Sequence, residues 1–192
     1  REKYPRVQHA ATLAMGPNQI LIDTATGVPL PRVFFINKQD NQLVQFQADR
    51  IYFNWRQRQD VYPRYENVIQ NFEEVLDSFE AFLKESEFGE FIPVECELTY
   101  LNHIKKRVGR ETVEELQRIF RDFNWHDTSR FLPNPINVSW NMRFPLPEKK
   151  GHLHVSLNEA TLLEGNIPVF ALNLTARGIG QETDRSGIRE WF

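Results

Sequence analysis

The segment from Asp49 to Arg56 constrains the fold most, because its apolar and polar residues alternate. Successive side chains of a β-strand point to opposite faces of a sheet. The segment therefore predicts a strand with one apolar face and one cationic, hydrogen-bonding face. The apolar face would carry Ile51, Phe53 and Trp55, and the polar face would carry Arg50, Tyr52, Asn54 and Arg56.

The residues after Tyr62-Pro63 are predicted to form a helix that packs on the apolar face of this strand. Apolar residues recur there at steps of three and four from Val68 to Leu83, which predicts an amphipathic helix of about five turns. Proline suits the first turn of such a helix. A second, shorter helix is predicted from Thr112, which forms a capping-box pair with Glu115.

Several further segments alternate as strands do. Residues 33–36 and 43–46 flank turn residues at 39–41, which predicts a hairpin. The phase of alternation changes between Phe46 and Ile51, so we expect a β-bulge or bend near Asp49. The other predicted strands are Ile92–Tyr100, Ile136–Phe144, Leu153–Leu157 and Phe170–Leu174, the last three forming a meander.

These elements predict the α+β class, with an antiparallel sheet of about six or more strands and two main amphipathic helices packed on one face. Residues 1–192 are expected to form a single domain. The sequence says little about residues 1–31, apart from a short strand at 19–22 and a loop at 24–31. The chain starts at Arg1 without a methionine, so it is expected to be a piece of a longer protein or a trimmed form of it.

Composition narrows the function classes. A chain that is 41% hydrophobic and 26% charged can form a globular core, and it has neither an apolar run of about 20 residues nor the core of a signal peptide. With a single cysteine, Cys96, it is predicted to be cytoplasmic. The net charge is -3, and residues 65–100 hold ten acidic residues against one lysine. This balance argues against general nucleic-acid binding.

Three motifs carry a resemblance to known proteins. They are Phe53-Asn54-Trp55-Arg56, Tyr62-Pro63-Arg64-Tyr65 and the run from Glu97 to Ile104. Through them, roughly from residue 33 to residue 104, the chain resembles a sporadically distributed, uncharacterised family of bacterial and archaeal proteins. The resemblance implies a cytoplasmic prokaryotic protein with a final helix at residues 190–192 and a further strand and helix before residue 33. It implies no activity and no catalytic residue.

The polar face of the central strand is the first candidate site. Arginines beside an aromatic ring and an amide can hold a phosphate or an anionic nucleotide. An alternative is that Arg50 and Arg56 pair with Glu95 and Glu97 on a neighbouring strand. The candidate residues are Arg50, Tyr52, Asn54, Arg56 and Arg64.

Other candidates are weaker. His152 and His154 share a strand face and could bind a metal with His103, His126 or a carboxylate as third ligand. Cys96 lies on the apolar side of its predicted strand and is expected in the core. The basic run at 105–107 predicts a solvated turn, and the Gly-rich segment 177–187 predicts a mobile loop.

No complete catalytic or cofactor motif is present, so the sequence favours a binding or regulatory module for a protein or a small anionic or nucleotide partner. The alternatives are a metal-dependent hydrolase using His152 and His154, and an oligomer-forming structural protein.

Overall fold

The structure is a computed structural model that describes residues 2–10, 32–47, 49–58, 61–106, 112–121, 123 and 131–192. The chain divides into two compact units, Arg1–Phe91 and Ile92–Phe192. The α+β class and the antiparallel pairing are confirmed. The predicted single sheet is wrong in detail, because the described strands form two sheets of four and there are three helices among them. The assignment of residues 1–192 to one domain stays a prediction.

The first unit contains four strands in the order β1-β2-β3-β4, all antiparallel. The predicted hairpin at residues 33–46 is confirmed as β2 and β3. The alternation pattern did not predict β1, because its sequence, RVQHA, has hardly any apolar alternation. The strand expected at 19–22 and the loop expected at 24–31 lie outside the described residues. The elements are β1 (Arg6–Ala10), β2 (Arg32–Ile36), β3 (Gln42–Phe46), β4 (Ile51–Trp55) and α1 (Tyr65–Glu85).

Helix α1 covers the apolar face of this sheet, as the alternation in β4 predicts. Val44, which is 3% exposed, pairs with Phe53, and Phe46 pairs with Ile51, so these residues share one face. The Phe46 ring lies 5.3 Å from the ring of Phe79 in α1, measured between centroids. Residues 51, 53 and 55 therefore face the helix.

The outer side of α1 is acidic and exposed, as expected for a solvated helix face, and carries Glu66, Glu74 and Asp77. The helix has 21 residues and is the longest one described. None of the helices in the described ranges combines the length and apolar character needed to cross a bilayer.

Of the two alternatives predicted near Asp49, a β-bulge or a bend, the bend is confirmed, and it is part of a tight turn. Phe46 pairs with Ile51, and the Gln47 N–H donates to the Arg50 carbonyl oxygen at 2.9 Å. The chain therefore reverses between two antiparallel strands and does not continue through one long strand. Partners across an antiparallel ladder share a face, which explains why the apolar positions change from even to odd numbers.

The second unit holds the other sheet, in the order β5-β8-β7-β6. The predicted meander is confirmed as β6, β7 and β8. Strand β5 starts later than expected, at Cys96, because its partner β8 ends at Gly178, opposite Cys96. Ile92 and Val94 precede this pairing and are 72% and 81% exposed. The elements are β5 (Cys96–Lys105), α2 (Thr112–Ile119), β6 (Trp140–Pro145), β7 (His152–Leu162), β8 (Ile167–Gly178) and α3 (Arg185–Trp191).

Helices α2 and α3 belong to this unit. Leu116 of α2 packs with Leu157 and Phe170, and each of the three is at most 1% exposed. Helix α3 falls partly within the segment expected to be a loop. It begins there because the Asp184 side chain accepts the Gly187 N–H at 2.8 Å, a local N-cap that the sequence already contained.

Two glycines in the second unit both have positive φ, but only one of them lies against a neighbouring backbone. A Cβ on Gly151 (φ 129°) would lie 2.0 Å from the Arg177 carbonyl oxygen, whereas at Gly165 (φ 78°) the nearest atoms are those of the flexible Ile167 side chain at 3.4 Å.

We expect Gly165→Ala to lower the free energy of unfolding by about 1 to 2 kcal/mol through left-handed strain. Gly151→Ala should cost clearly more, because β7 and β8 must separate there. Urea unfolding of both variants measures this, and equal losses would contradict the close approach.

Candidate anion site

The turn between β2 and β3 is organised by a buried amide. Asn37 is 7% exposed, and its Oδ1 accepts the N–H groups of Asn41 and Gln42, each at 3.1 Å. Asp40 within the turn has φ 60°, a left-handed conformation that aspartate tolerates better than most residues. The turn therefore holds the Asp40 backbone in a fixed position.

Three arginines converge on Asp40. Arg6 lies at the start of β1 and contacts Oδ1 at 2.6 Å, and Arg58, which follows β4, contacts Oδ2 at 2.7 Å. Arg56, directly after β4, contacts Oδ1 as well, at 2.5 Å. They meet because the antiparallel order places the start of β1, the β2–β3 turn and the end of β4 at one end of the sheet.

Two of the arginines have second anchors on the backbone of the turn. Arg6 Nη2 donates to the Asn37 carbonyl oxygen at 2.9 Å, and Arg56 Nε donates to the Asp40 carbonyl oxygen at 2.8 Å. A planar guanidinium held at two points loses little further freedom when it binds a ligand. Arg6 and Arg56 are therefore positioned by the turn and not by the carboxylate alone.

The cluster carries three positive charges against one negative charge. Hydrogen bonds from Arg58 and then Arg6 lower the pKa of Asp40 to about 2, so the carboxylate is ionised at neutral pH. The side chains of Arg6, Arg56 and Arg58 are 51%, 37% and 44% exposed. Exposed guanidinium groups with a surplus of positive charge can pair with phosphate or carboxylate oxygens.

The candidate residues around β4 are spread along the chain, since Tyr52 and Asn54 lie on the strand and Arg50 and Arg56 flank it. Arg50 is held by Asp49 at 2.8 Å and donates to the Tyr52 hydroxyl at 3.3 Å. It lies six residues from Arg56, roughly 20 Å along an extended strand. Asn54 pairs in register with Leu43 between the two ends. Of the predicted set, only Arg56 belongs to the cluster at Asp40.

Arg64 also stands apart, since it directly precedes α1 and its side chain makes no capping hydrogen bond there. The sequence had offered a further alternative, in which Arg50 and Arg56 pair with Glu95 and Glu97. That alternative is wrong, because β4 and β5 belong to different sheets. Glu97 is instead paired with Arg177 at 2.5 Å.

Sequence reasoning missed Arg6 and Arg58. Arg58 could have been found, since it follows Arg56 by two residues and residues 39–41, which include Asp40, are predicted as a turn. Arg6 carried no such signal. Its place beside Asp40 depends on the pairing of β1 with β2, which joins residues about thirty positions apart.

The two histidines share a face of β7, with ring centroids 6.4 Å apart. Arg143 donates to His152 Nδ1 at 3.0 Å, so this ring nitrogen is already engaged by a cation. The proposed third ligand His103 is not close to this pair. In the sheet, His103 and Asn158 are both opposite Ala171 of β8. Asn158 follows His154 by four residues, which is about 13 Å along β7. His126 lies outside the described residues, and within them no group of three His, Cys, Asp or Glu side chains could hold a metal.

The basic run at residues 105–107 is not simply a solvated turn. Lys106 is 13% exposed, pairs with Glu159 at 2.5 Å and lies 4.9 Å from the centre of the Phe170 ring. The charge of Lys106 is therefore paired within the second unit and is not exposed for a ligand. Arg107 lies outside the described residues.

A cavity of about 250 Å³ lies beside α3 in the second unit, lined by Leu146, Pro147, Glu148, Lys150 and Trp191. Its size is at the low end for a small-molecule site. Lys150 pairs with Glu190 at 2.8 Å and with Glu148 at 3.2 Å, and these carboxylates raise the pKa of Lys150. Since two carboxylates face one lysine, the cavity has no surplus of positive charge for an anionic ligand.

Cys96 is in the core, as predicted, and is 5% exposed. Burial, followed by the negative charge of Glu95, raises the pKa of its thiol to about 11. A neutral, buried thiol is a poor nucleophile.

We expect Cys96 to react with a disulfide reagent at pH 7.5 far more slowly in the native protein than in urea. Equal rates in both conditions would place the thiol at the surface.

The Asp40 cluster makes stability depend on pH in a defined direction. Because the pKa of Asp40 in the folded protein, about 2, is below its usual 3.8, its contribution is fully present above about pH 4 and is lost as pH falls through 2. We expect the difference in unfolding free energy between the unmodified protein and Asp40→Asn to shrink as pH falls from 5 to 2. Denaturant unfolding across this range measures it, and a constant difference would contradict the assignment.

Comparisons of the chain with protein-family models, with curated proteins and with solved structures find no match. The resemblance to an uncharacterised prokaryotic family therefore stays a prediction. No relative contributes a substrate, a partner or a catalytic residue, and function has to be argued from the chemistry of the described side chains.

Proposed function

We propose that the first unit binds a small anionic ligand through Arg6, Arg56 and Arg58, and that the protein acts as a binding or regulatory module. The observation that carries this proposal is the convergence of three guanidinium groups on the single carboxylate of Asp40. Arginine is suited to this task, because its planar fork matches the oxygens of phosphate and carboxylate groups.

The cluster is larger than a structural link would require. Exposed ion pairs add little to stability, since solvent screens them and ordering long side chains costs entropy. One arginine would balance the charge of Asp40, whereas three leave a surplus of two positive charges. A ligand that supplies the missing negative charge explains this surplus.

The charge distribution favours a small anion over a nucleic acid. Binding to a nucleic-acid backbone uses many lysines and arginines spread along a surface. Here the neighbouring helix α1 lies in the most acidic part of the chain, where residues 65–100 hold ten acidic residues against one lysine. The positive charge is concentrated at one end of one sheet, which fits a compact ligand such as a phosphate group.

The proposed setting is the cytoplasm of a prokaryote, as the resemblance and the single cysteine imply. Three alternatives stay predictions. A partner protein that offers a phosphorylated or acidic side chain would use the same arginines. A metal-dependent hydrolase based on His152 and His154 would require stoichiometric metal in the purified protein, and an oligomer-forming structural protein would require a defined oligomer by light scattering.

The proposal is tested by calorimetric titration with inorganic phosphate and a nucleoside 5′-monophosphate. We expect Arg56→Ala and Arg58→Ala each to weaken binding by about 10- to 100-fold, because each removes charge-assisted hydrogen bonds worth about 1.5 to 3 kcal/mol. Arg56→Lys should recover only part of the loss, since lysine keeps the charge but loses the planar fork.

Arg50→Ala is the matched control. It removes an exposed arginine from the same hairpin, roughly 20 Å from the cluster. We expect this variant to bind as the unmodified protein does. If the unmodified protein binds none of these anions, or if Arg50→Ala weakens binding as much as Arg56→Ala, the proposed site is wrong.

A further inference from the structure

Asp40 already occupies the position that an anionic ligand would take. Its Oδ1 accepts from Arg6 and Arg56, and its Oδ2 accepts from Arg58. Three guanidinium groups offer about 15 N–H donors, whereas a carboxylate has two oxygens. A phosphate group has more oxygens and a second negative charge, so it can use donors that Asp40 leaves idle.

We propose that Asp40 is a built-in counter-ion of the arginine cluster, which a phosphate dianion displaces when it binds. This inference rests on the proposed function and names both its ligand class and its control. Before binding, Asp40 neutralises part of the positive charge and keeps the arginines from repelling one another. During binding, its carboxylate rotates away and the phosphate takes over its contacts.

The turn allows this exchange without losing the arginines. Arg6 stays anchored to the Asn37 carbonyl oxygen and Arg56 to the Asp40 carbonyl oxygen, and neither contact uses the carboxylate. Asn37 holds the turn through its own buried hydrogen bonds. The Asp40 side chain is 32% exposed, so water is available to its carboxylate after displacement.

The charge balance selects a dianion. With Asp40 nearby, the cluster has two positive charges in surplus, which a dianion balances and a monoanion does not. A phosphate monoester and inorganic phosphate share this chemistry. A nucleoside 5′-monophosphate and the 3′,5′-cyclic monophosphate of the same nucleoside are matched probes, because the second is a monoanion with the same base and sugar.

At pH 7.5 we expect the 5′-monophosphate to bind at least about tenfold more tightly than the cyclic monophosphate, which corresponds to about 1.4 kcal/mol. Inorganic phosphate, titrated alongside, distinguishes the two sources of the dianion. If it binds as tightly as the monophosphate, the free ion is the ligand; if it binds more weakly, the rest of the ester contributes. Equal affinity for the two nucleotides would overturn the dianion assignment.

The counter-ion role predicts that Asp40→Asn tightens binding. Asparagine has the same shape and tolerates φ 60°, so the turn is retained while the competing charge is removed. We expect inorganic phosphate to bind Asp40→Asn about tenfold more tightly than the unmodified protein. Asp40→Gly should show the same direction, because glycine also accepts this conformation.

The outcomes separate this inference from the proposed function. If neither the unmodified protein nor Asp40→Asn binds phosphate, the proposed function fails and the inference fails with it. If the unmodified protein binds in a way that depends on Arg56, but folded Asp40→Asn binds no more tightly, Asp40 is a structural clamp and only the inference is overturned. Circular dichroism establishes that each variant is folded.

A measurement on the unmodified protein remains decisive even if the variants do not fold. The Asp40 carboxyl carbon can be titrated by NMR with and without saturating sulfate, which stays a dianion at lower pH than phosphate does. Free protein should titrate near the pKa of about 2 that the arginines impose. With sulfate bound, the midpoint should rise towards the ordinary 3.8, because the carboxylate has rotated away from the arginines. An unchanged midpoint under saturating sulfate would overturn the displacement.

Discussion

The contact between Asp40 and three arginines is the interaction on which the proposed site of the first unit depends. Among the described strands of this sheet, β1 and β4 are the outer ones, and they pair with β2 and β3 respectively. Arg6 and Arg56 extend from these outer strands to the same turn, so the two edges of the sheet are connected there through charge. The same contact concentrates three guanidinium groups at an exposed position, which makes one end of the sheet chemically different from its remainder.

The two units use their polar groups differently, although each has an antiparallel sheet with helices on an apolar side. In the second unit, polar groups on the sheet face pair with one another, as the Thr99 and Thr175 hydroxyls do at 3.1 Å and Arg143 and His152 do at 3.0 Å. Each such group has a partner of matching chemistry close by. In the first unit one carboxylate faces three cations, and this imbalance is why an external anion is argued for there.

Much of the local structure could be predicted from periodicity, whereas the site could be predicted only in part. Arg56 was identified because alternation in β4 marks its polar side. Arg50, Tyr52 and Asn54 satisfy the same alternation, yet they lie along the strand and not around one point. Sharing a face is a property of one strand, but meeting at a point requires neighbouring strands. The meeting of Arg6 with Asp40 depends on a register that the amino-acid pattern of β1 does not encode locally.

The sequence by itself determined most of the strands and helices, although not β1 or α3, and which sides of them are apolar, because these follow from the periods of two and 3.6 residues that burial on one side imposes. It placed Cys96 in the core, α1 over β4 and the hairpin turn at Asp40. Only the tertiary structure decided that the described strands divide into two sheets of four and that β1 and β4 flank one turn. The physical reason is that backbone hydrogen bonds between strands are the same for every residue, so the choice of partner strand depends on the packing of the whole sheet.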